Sequence, residues 1–101
     1  MNANTEKIDI RFPKVLIKDI EDYQKVEDIS NRSTAIFELI RKGLKTTGNI
    51  NIKIPKGDSQ RIDIRVPVSL LNKIEGYQED NEIKTRSKAL KQLVMVGLLC
   101  G

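Results

Sequence analysis

Between Lys7 and Phe12 apolar and charged residues alternate. Ile8, Ile10 and Phe12 fall on one side of an extended chain, and Lys7, Asp9 and Arg11 fall on the other. That period of two predicts a strand with one dry face. Pro13 ends it and suits a helix start, where a missing amide proton does no harm. Leu16, Ile17, Ile20 and Tyr23 then recur at helical spacing, predicting a first helix of about three turns that fades near Glu27. Ile29, in the connection that follows, is expected to plug the core from the turn. Asn31 carries an acceptor oxygen just ahead of a new helical periodicity and reads as an N-cap. Ala35, Ile36, Leu39, Ile40 and Leu44 form the apolar stripe of a second helix. Met1 to Glu6 show no pattern and are expected to fray.

The whole pattern then returns. Residues 7–45 align without insertion to residues 61–99, with about 17 positions identical. Ile8-Asp9-Ile10-Arg11-Phe12-Pro13 recurs as Ile62-Asp63-Ile64-Arg65-Val66-Pro67, and Asn31-Arg32-Ser33-Thr34-Ala35 as Thr85-Arg86-Ser87-Lys88-Ala89. The chain is a tandem duplication. Its second copy offers a strand over Arg61 to Val66, a helix on Leu70, Leu71, Ile74 and Tyr77, a plug at Ile83 and a cap at Thr85. Ala89, Leu90, Leu93, Val94 and Leu98 make the last stripe. Gly43 and Gly97 share a helical position that weakens a helix by up to about 1 kcal/mol unless close packing justifies it, so both mark a close approach of two helices. A unit of this size buries too little surface to stand alone, and the two copies are expected to share one core. The expected fold is mainly α with a small antiparallel β ribbon: repeat one over 1–45, a linker over 46–60 and repeat two over 61–101.

The linker carries turn chemistry in Gly48, Pro55, Gly57, Asp58 and Ser59. Ile50, Ile52 and Ile54 nevertheless alternate with Asn51 and Lys53. One reading is an irregular tether; the other is an extra strand at 50–54 returning antiparallel beside Arg61 to Val66 and widening the sheet on one side. In the second case Asn51 and Lys53 would stand beside the exposed face of the ribbon, as added contacts or as an obstruction.

Composition narrows the chemistry. The chain has no histidine and one cysteine, Cys100, which removes Ser-His, Cys-His and Cys/His metal constellations and any internal disulfide. Asp19, Glu21 and Asp22 lie on the polar side of an amphipathic helix and read as solvated surface. No catalytic residue, metal site or cofactor is expected. Neither a bilayer-spanning run nor a signal peptide is evident, so a soluble, cytoplasmic protein is expected.

A net charge of +4 is too small to announce a nucleic-acid binder, so the placing of the charges decides. Two such strands paired about their middles would set Asp9 opposite Asp63, Arg11 opposite Arg61 and Lys7 opposite Arg65. Opposed like charges destabilise a ribbon. Diagonal attraction between Asp and Arg offsets part of this, and an absent anionic partner explains the residual positive charge more economically than folding does. A two-stranded ribbon fits the DNA major groove, where Arg and Lys donate to guanine and Asp accepts from the cytosine amino group. The starts of the second helices, Asn31-Arg32-Ser33-Thr34 and Thr85-Arg86-Ser87-Lys88, combine unpaired amides, hydroxyls and a cation, with no glutamate in the third helical position to occupy the donors. Each is either an ordinary cap beside an exposed arginine or a phosphate seat, and recurrence in both copies favours the seat.

This order of basic alternating strand, proline, helix, capped helix and near-terminal glycine resembles the ribbon-helix-helix family of DNA-binding regulators, the Arc and MetJ type. The resemblance covers both copies. It implies an intramolecular pseudo-dimer whose ribbon enters the major groove of double-stranded DNA. Carried over, Lys7, Asp9, Arg11, Arg61, Asp63 and Arg65 become base readers. Asn31, Arg32, Ser33, Thr85, Arg86, Ser87 and Lys88 become backbone contacts. An aspartate in mid-face departs from the usual family pattern. Tandem forms of this kind are similar to regulators of archaeal viruses and plasmids, which implies a repressor acting in the host cytoplasm, with its own promoter among the candidate targets. The alternative is a protein-interaction module, antitoxin-like or assembly-forming, on the same fold. In the final turn, Met95, Val96, Leu99 and Cys100 replace or follow the positions of Arg41, Lys42 and Lys45, and predict self-association through the C-terminal helix.

Overall fold

The computed structural model describes residues 4–45 and 54–100. Six elements follow in order: β1 (Thr5–Pro13), α1 (Lys14–Val26), α2 (Arg32–Lys45), β2 (Ser59–Pro67), α3 (Val68–Asp80) and α4 (Arg86–Cys100). Four helices and one small antiparallel sheet therefore make up the described residues. The strands pair from Thr5 opposite Pro67 through to Pro13 opposite Ser59, with Asp9 facing Asp63 at the centre. Lys7 faces Arg65 and Arg11 faces Arg61, as the alternation led one to expect.

The ladder runs past both strand ends. Lys14 N–H donates to the Asp58 carbonyl at 2.8 Å, and Val68 N–H donates to that of Asn4, also at 2.8 Å. These are equivalent positions in the two repeats. They also correct the expectation of a frayed start: Thr5 and Glu6 belong to β1, held by Pro67 and Val66 of the other half. Met1 to Ala3 lie outside the described residues.

Pro13 and Pro67, at φ −54° and −56° with extended ψ, close the strands and open α1 and α3. Both helices stop the same way. Asp28 and Glu82 adopt left-handed backbone, with φ of 55° and 52°. Ile29 N–H then donates to the Gln24 carbonyl and Ile83 N–H to that of Gln78, each at 2.9 Å. This pairing of a left-handed residue with a backward hydrogen bond satisfies carbonyls that the helix end would leave bare. It also turns Ile29 and Ile83 onto the core, as expected.

The core is one continuous cluster. Ile10 and Phe12 meet Ile62, Ile64 and Val66 on the dry side of the ribbon, and the helices cover them with Leu16, Ile20, Leu39, Ile74 and Leu93 among others. α2 and α4 cross at its centre. A Cβ on Gly43 would strike the Leu93 carbonyl oxygen, and one on Gly97 would strike that of Leu39. The two glycines thus license a reciprocal backbone approach. Among the described residues the sheet has two strands. Ile54 carries no strand, contrary to the extra-strand reading there; residues 50–53, with Asn51 and Lys53, lie outside the described set.

Candidate nucleic-acid interface

Because β1 and β2 have one dry face, their other face is open to solvent across its middle, from Lys7 to Arg11 and from Arg61 to Arg65. Lys7, Asp9, Arg11, Arg61, Asp63 and Arg65 all stand exposed on it. The register brings these six side chains onto one surface, four cations around two carboxylates. Like charges do oppose one another across the pairs, and diagonal contacts relieve the strain. Arg61 Nη2 lies 3.1 Å from Asp9 Oδ2, and Lys7 Nζ lies 4.0 Å from Asp63 Oδ2. Arg11 and Arg65 form no ion pair among the described residues.

The central aspartates interact with each other. A hydrogen bond shared with Asp63, reinforced by Arg61 and Lys7, holds the Asp9 carboxyl below its ordinary value. The same bond and the charge of Asp9 hold Asp63 above its own. The pair therefore releases its two protons in separated steps.

At the start of α2 the Asn31 Oδ1 accepts from Thr34 N–H at 2.8 Å, and at the start of α4 the Thr85 Oγ1 accepts from Lys88 N–H at 3.1 Å. Both residues are N-caps. Each cap occupies one amide and leaves the amides ahead of it without an intrahelical acceptor. Arg32 and Ser33 are half-buried beside the first cap; at the second, Arg86 is half-buried while Ser87 and Lys88 are exposed.

The two arginines are not equally engaged. Among the described residues Arg32 reaches only Glu21, at 3.6 Å. Arg86 is held by Glu75 and Glu6, each at 3.3 Å, through separate nitrogens of its guanidinium. Glu21 and Glu75 are repeat equivalents, whereas Glu6 corresponds to the uncharged Gln60. These acidic partners were not foreseen from the sequence. The identity of Glu21 and Glu75 between the repeats was the available signal; Glu6 offered none, since only folding brings it to a residue 80 positions away.

The C-terminal apolar group is corrected in part. Val96 is 4% exposed and belongs to the core, and Met95 is half-buried against it. A fifteen-residue α4 that covers the ribbon has to bury these positions, and of the side chains described in this group only Leu99, at 70% exposure, points outward. The side chain of Cys100 lies outside the described set. No helix among the described residues is long and apolar enough to cross a membrane. Comparison with protein-family models, with curated proteins and with solved structures returned no match to this chain.

Proposed function

We propose that this chain is a sequence-specific double-stranded DNA-binding regulator, of repressor type, built as a ribbon-helix-helix pseudo-dimer within one polypeptide. The observation that carries it is the exposed face of the two-stranded ribbon, where Lys7, Arg11, Arg61 and Arg65 surround a central aspartate pair. A ribbon of this width enters the major groove. Arg11 and Arg65, which form no ion pair among the described residues, are the first candidates to donate to guanine. Lys7 and Arg61 leave an aspartate to do so, and the aspartate released becomes an acceptor for a cytosine amino group.

The capped starts of α2 and α4 then take the phosphates. Asn31, Arg32 and Ser33 serve one side, and Thr85, Arg86, Ser87 and Lys88 the other, joining helix amides to a cation. Because the two halves differ at Gln60 against Glu6 and at Thr34 against Lys88, the preferred site is an imperfect inverted repeat.

Selection from random duplexes at several salt concentrations tests this. A defined motif is expected, with affinity falling steeply as salt rises. Arg11→Ala and Arg65→Ala should each cost about 1–3 kcal/mol at the cognate site and relax its sequence, while Arg32→Ala and Arg86→Ala should weaken all duplexes alike. Enrichment of no motif, or identical behaviour of the two pairs, overturns the assignment.

A further inference from the structure

Two surface grooves occupy equivalent places in the two repeats and carry opposite chemistry. The first lies between the end of α2 and the outer side of α3. Leu44 and Tyr77 line it with Arg41, Lys45 and Lys73, and Asp80 is its one carboxylate among the described residues. The second lies between α1 and the end of α4. Tyr23 and Leu98 line it with Asp19, Asp22 and Glu27, and Lys42 stands over the Tyr23 ring without lining the groove. Three cations against one carboxylate leave the first groove at +2, and three carboxylates leave the second at −3.

Their relief is opposite too. At the second groove Val26 is 79% exposed and Leu99 70% exposed, so apolar side chains stand out from it. The first groove has Asp80 and Lys45 in those places, and Gly76 where the second has Asp22. A Cβ on Gly76 would meet nothing within 4 Å. A glycine inside a helix weakens it, and nothing among the described residues packs closely enough to require one here. Its effect is to leave an open floor between apolar walls and a cationic rim.

We propose that this floor receives a second copy of the same chain, which seats Val26 and Leu99 over Gly76 and sets Asp19, Asp22 and Glu27 against Arg41, Lys45 and Lys73. Two identical grooves facing each other would oppose like charges, so the contact is between unlike ends. Each copy added leaves one ridge and one floor unused, and association runs head to tail. This contact does not depend on the DNA-binding reading.

Sedimentation velocity of the full chain, over a range of concentrations and at low and high salt, provides the test. The parent's mass should rise with concentration and fall back as salt screens the charges. Gly76→Glu fills the floor with a carboxylate, and Leu99→Asp removes the ridge; circular dichroism should show both still folded, since neither site is packed. Each variant alone should sediment as a monomer. Mixed in equal amounts, they should form a one-to-one complex and nothing larger, because each supplies the end that the other lacks. The charge-reversed variants Lys73→Glu and Asp19→Lys repeat the test at exposed positions without touching apolar surface. A parent that is monomeric throughout, a Gly76→Glu chain that still self-associates, or a mixture that stays monomeric overturns the proposal.

Discussion

Asp28 and Glu82 hold backbone that glycine adopts without steric cost, because a Cβ in the left-handed region crowds the neighbouring carbonyl. Each stands where α1 or α3 must stop and hand over to Ile29 or Ile83. Asp28→Gly and Glu82→Gly should therefore each stabilise the protein by roughly 0.5–1 kcal/mol, read from denaturant midpoints, with the gain limited by the greater freedom glycine has when unfolded. The facing aspartates give a test with the opposite dependence on acid. Asp63, raised, contributes stability below its unfolded value of 3.8 and loses it as pH rises through its folded value. Asp9, lowered, contributes above 3.8 and loses that as pH falls through its folded value. At neutral pH both are charged, so Asp63→Asn should raise the melting temperature there, and the gain should shrink as pH falls through the raised folded value of Asp63 and be gone below 3.8. A gain that persists unchanged in acid would mean that the two carboxyls do not interact.

At the scale of elements, three glycines inside helices should respond to alanine with opposite signs. Gly43→Ala or Gly97→Ala drives a methyl into a carbonyl of the crossing helix, which cannot yield as a side chain would, and should cost about 1–3 kcal/mol. Gly76→Ala meets open space and should stabilise α3 by up to about 1 kcal/mol. Most of these elements were legible beforehand. Ile8, Ile10 and Phe12 could be assigned to a strand because one face is dry, and a period of two leaves little choice. Asn31 and Thr85 were legible because a cap is a local signal. Thr5 and Glu6 were not, because their place depends on Pro67 and Val66 and not on their own neighbours. Nor could Met95 and Val96 be told from Leu99 by hydrophobicity alone; burial was decided by where α2 and the ribbon meet α4. In the candidate site the six ribbon residues could be read from alternation and duplication, while the carboxylates holding Arg86 depend on tertiary contact.

At the scale of the molecule, the starts of α2 and α4 are alike in their caps and unlike in their ion pairs. On the proposed DNA-binding reading, Arg86 would leave two carboxylates to meet a phosphate, and Arg32, among the described residues, one. Glu6→Gln, which copies Gln60 of the other half, should release Arg86 in part. An exposed ion pair is worth no more than about 1 kcal/mol, so DNA affinity should rise by up to about fivefold with the preferred sequence unchanged. Titration of the cognate duplex checks this, and a change in the preferred sequence would mean that Glu6 takes part in reading bases.

The ribbon ladder has a last consequence. Every hydrogen bond between β1 and β2 joins partners on opposite sides of residues 46–58, and the crossing of α2 with α4 does the same. Neither half can complete its interior during synthesis until the other has emerged. Once both are present they meet at a high local concentration set by the tether, so the melting point should not change on dilution. A backbone nick introduced between residues 45 and 54 would turn folding into a diffusional encounter of two fragments, and melting would then fall with every dilution of the sample.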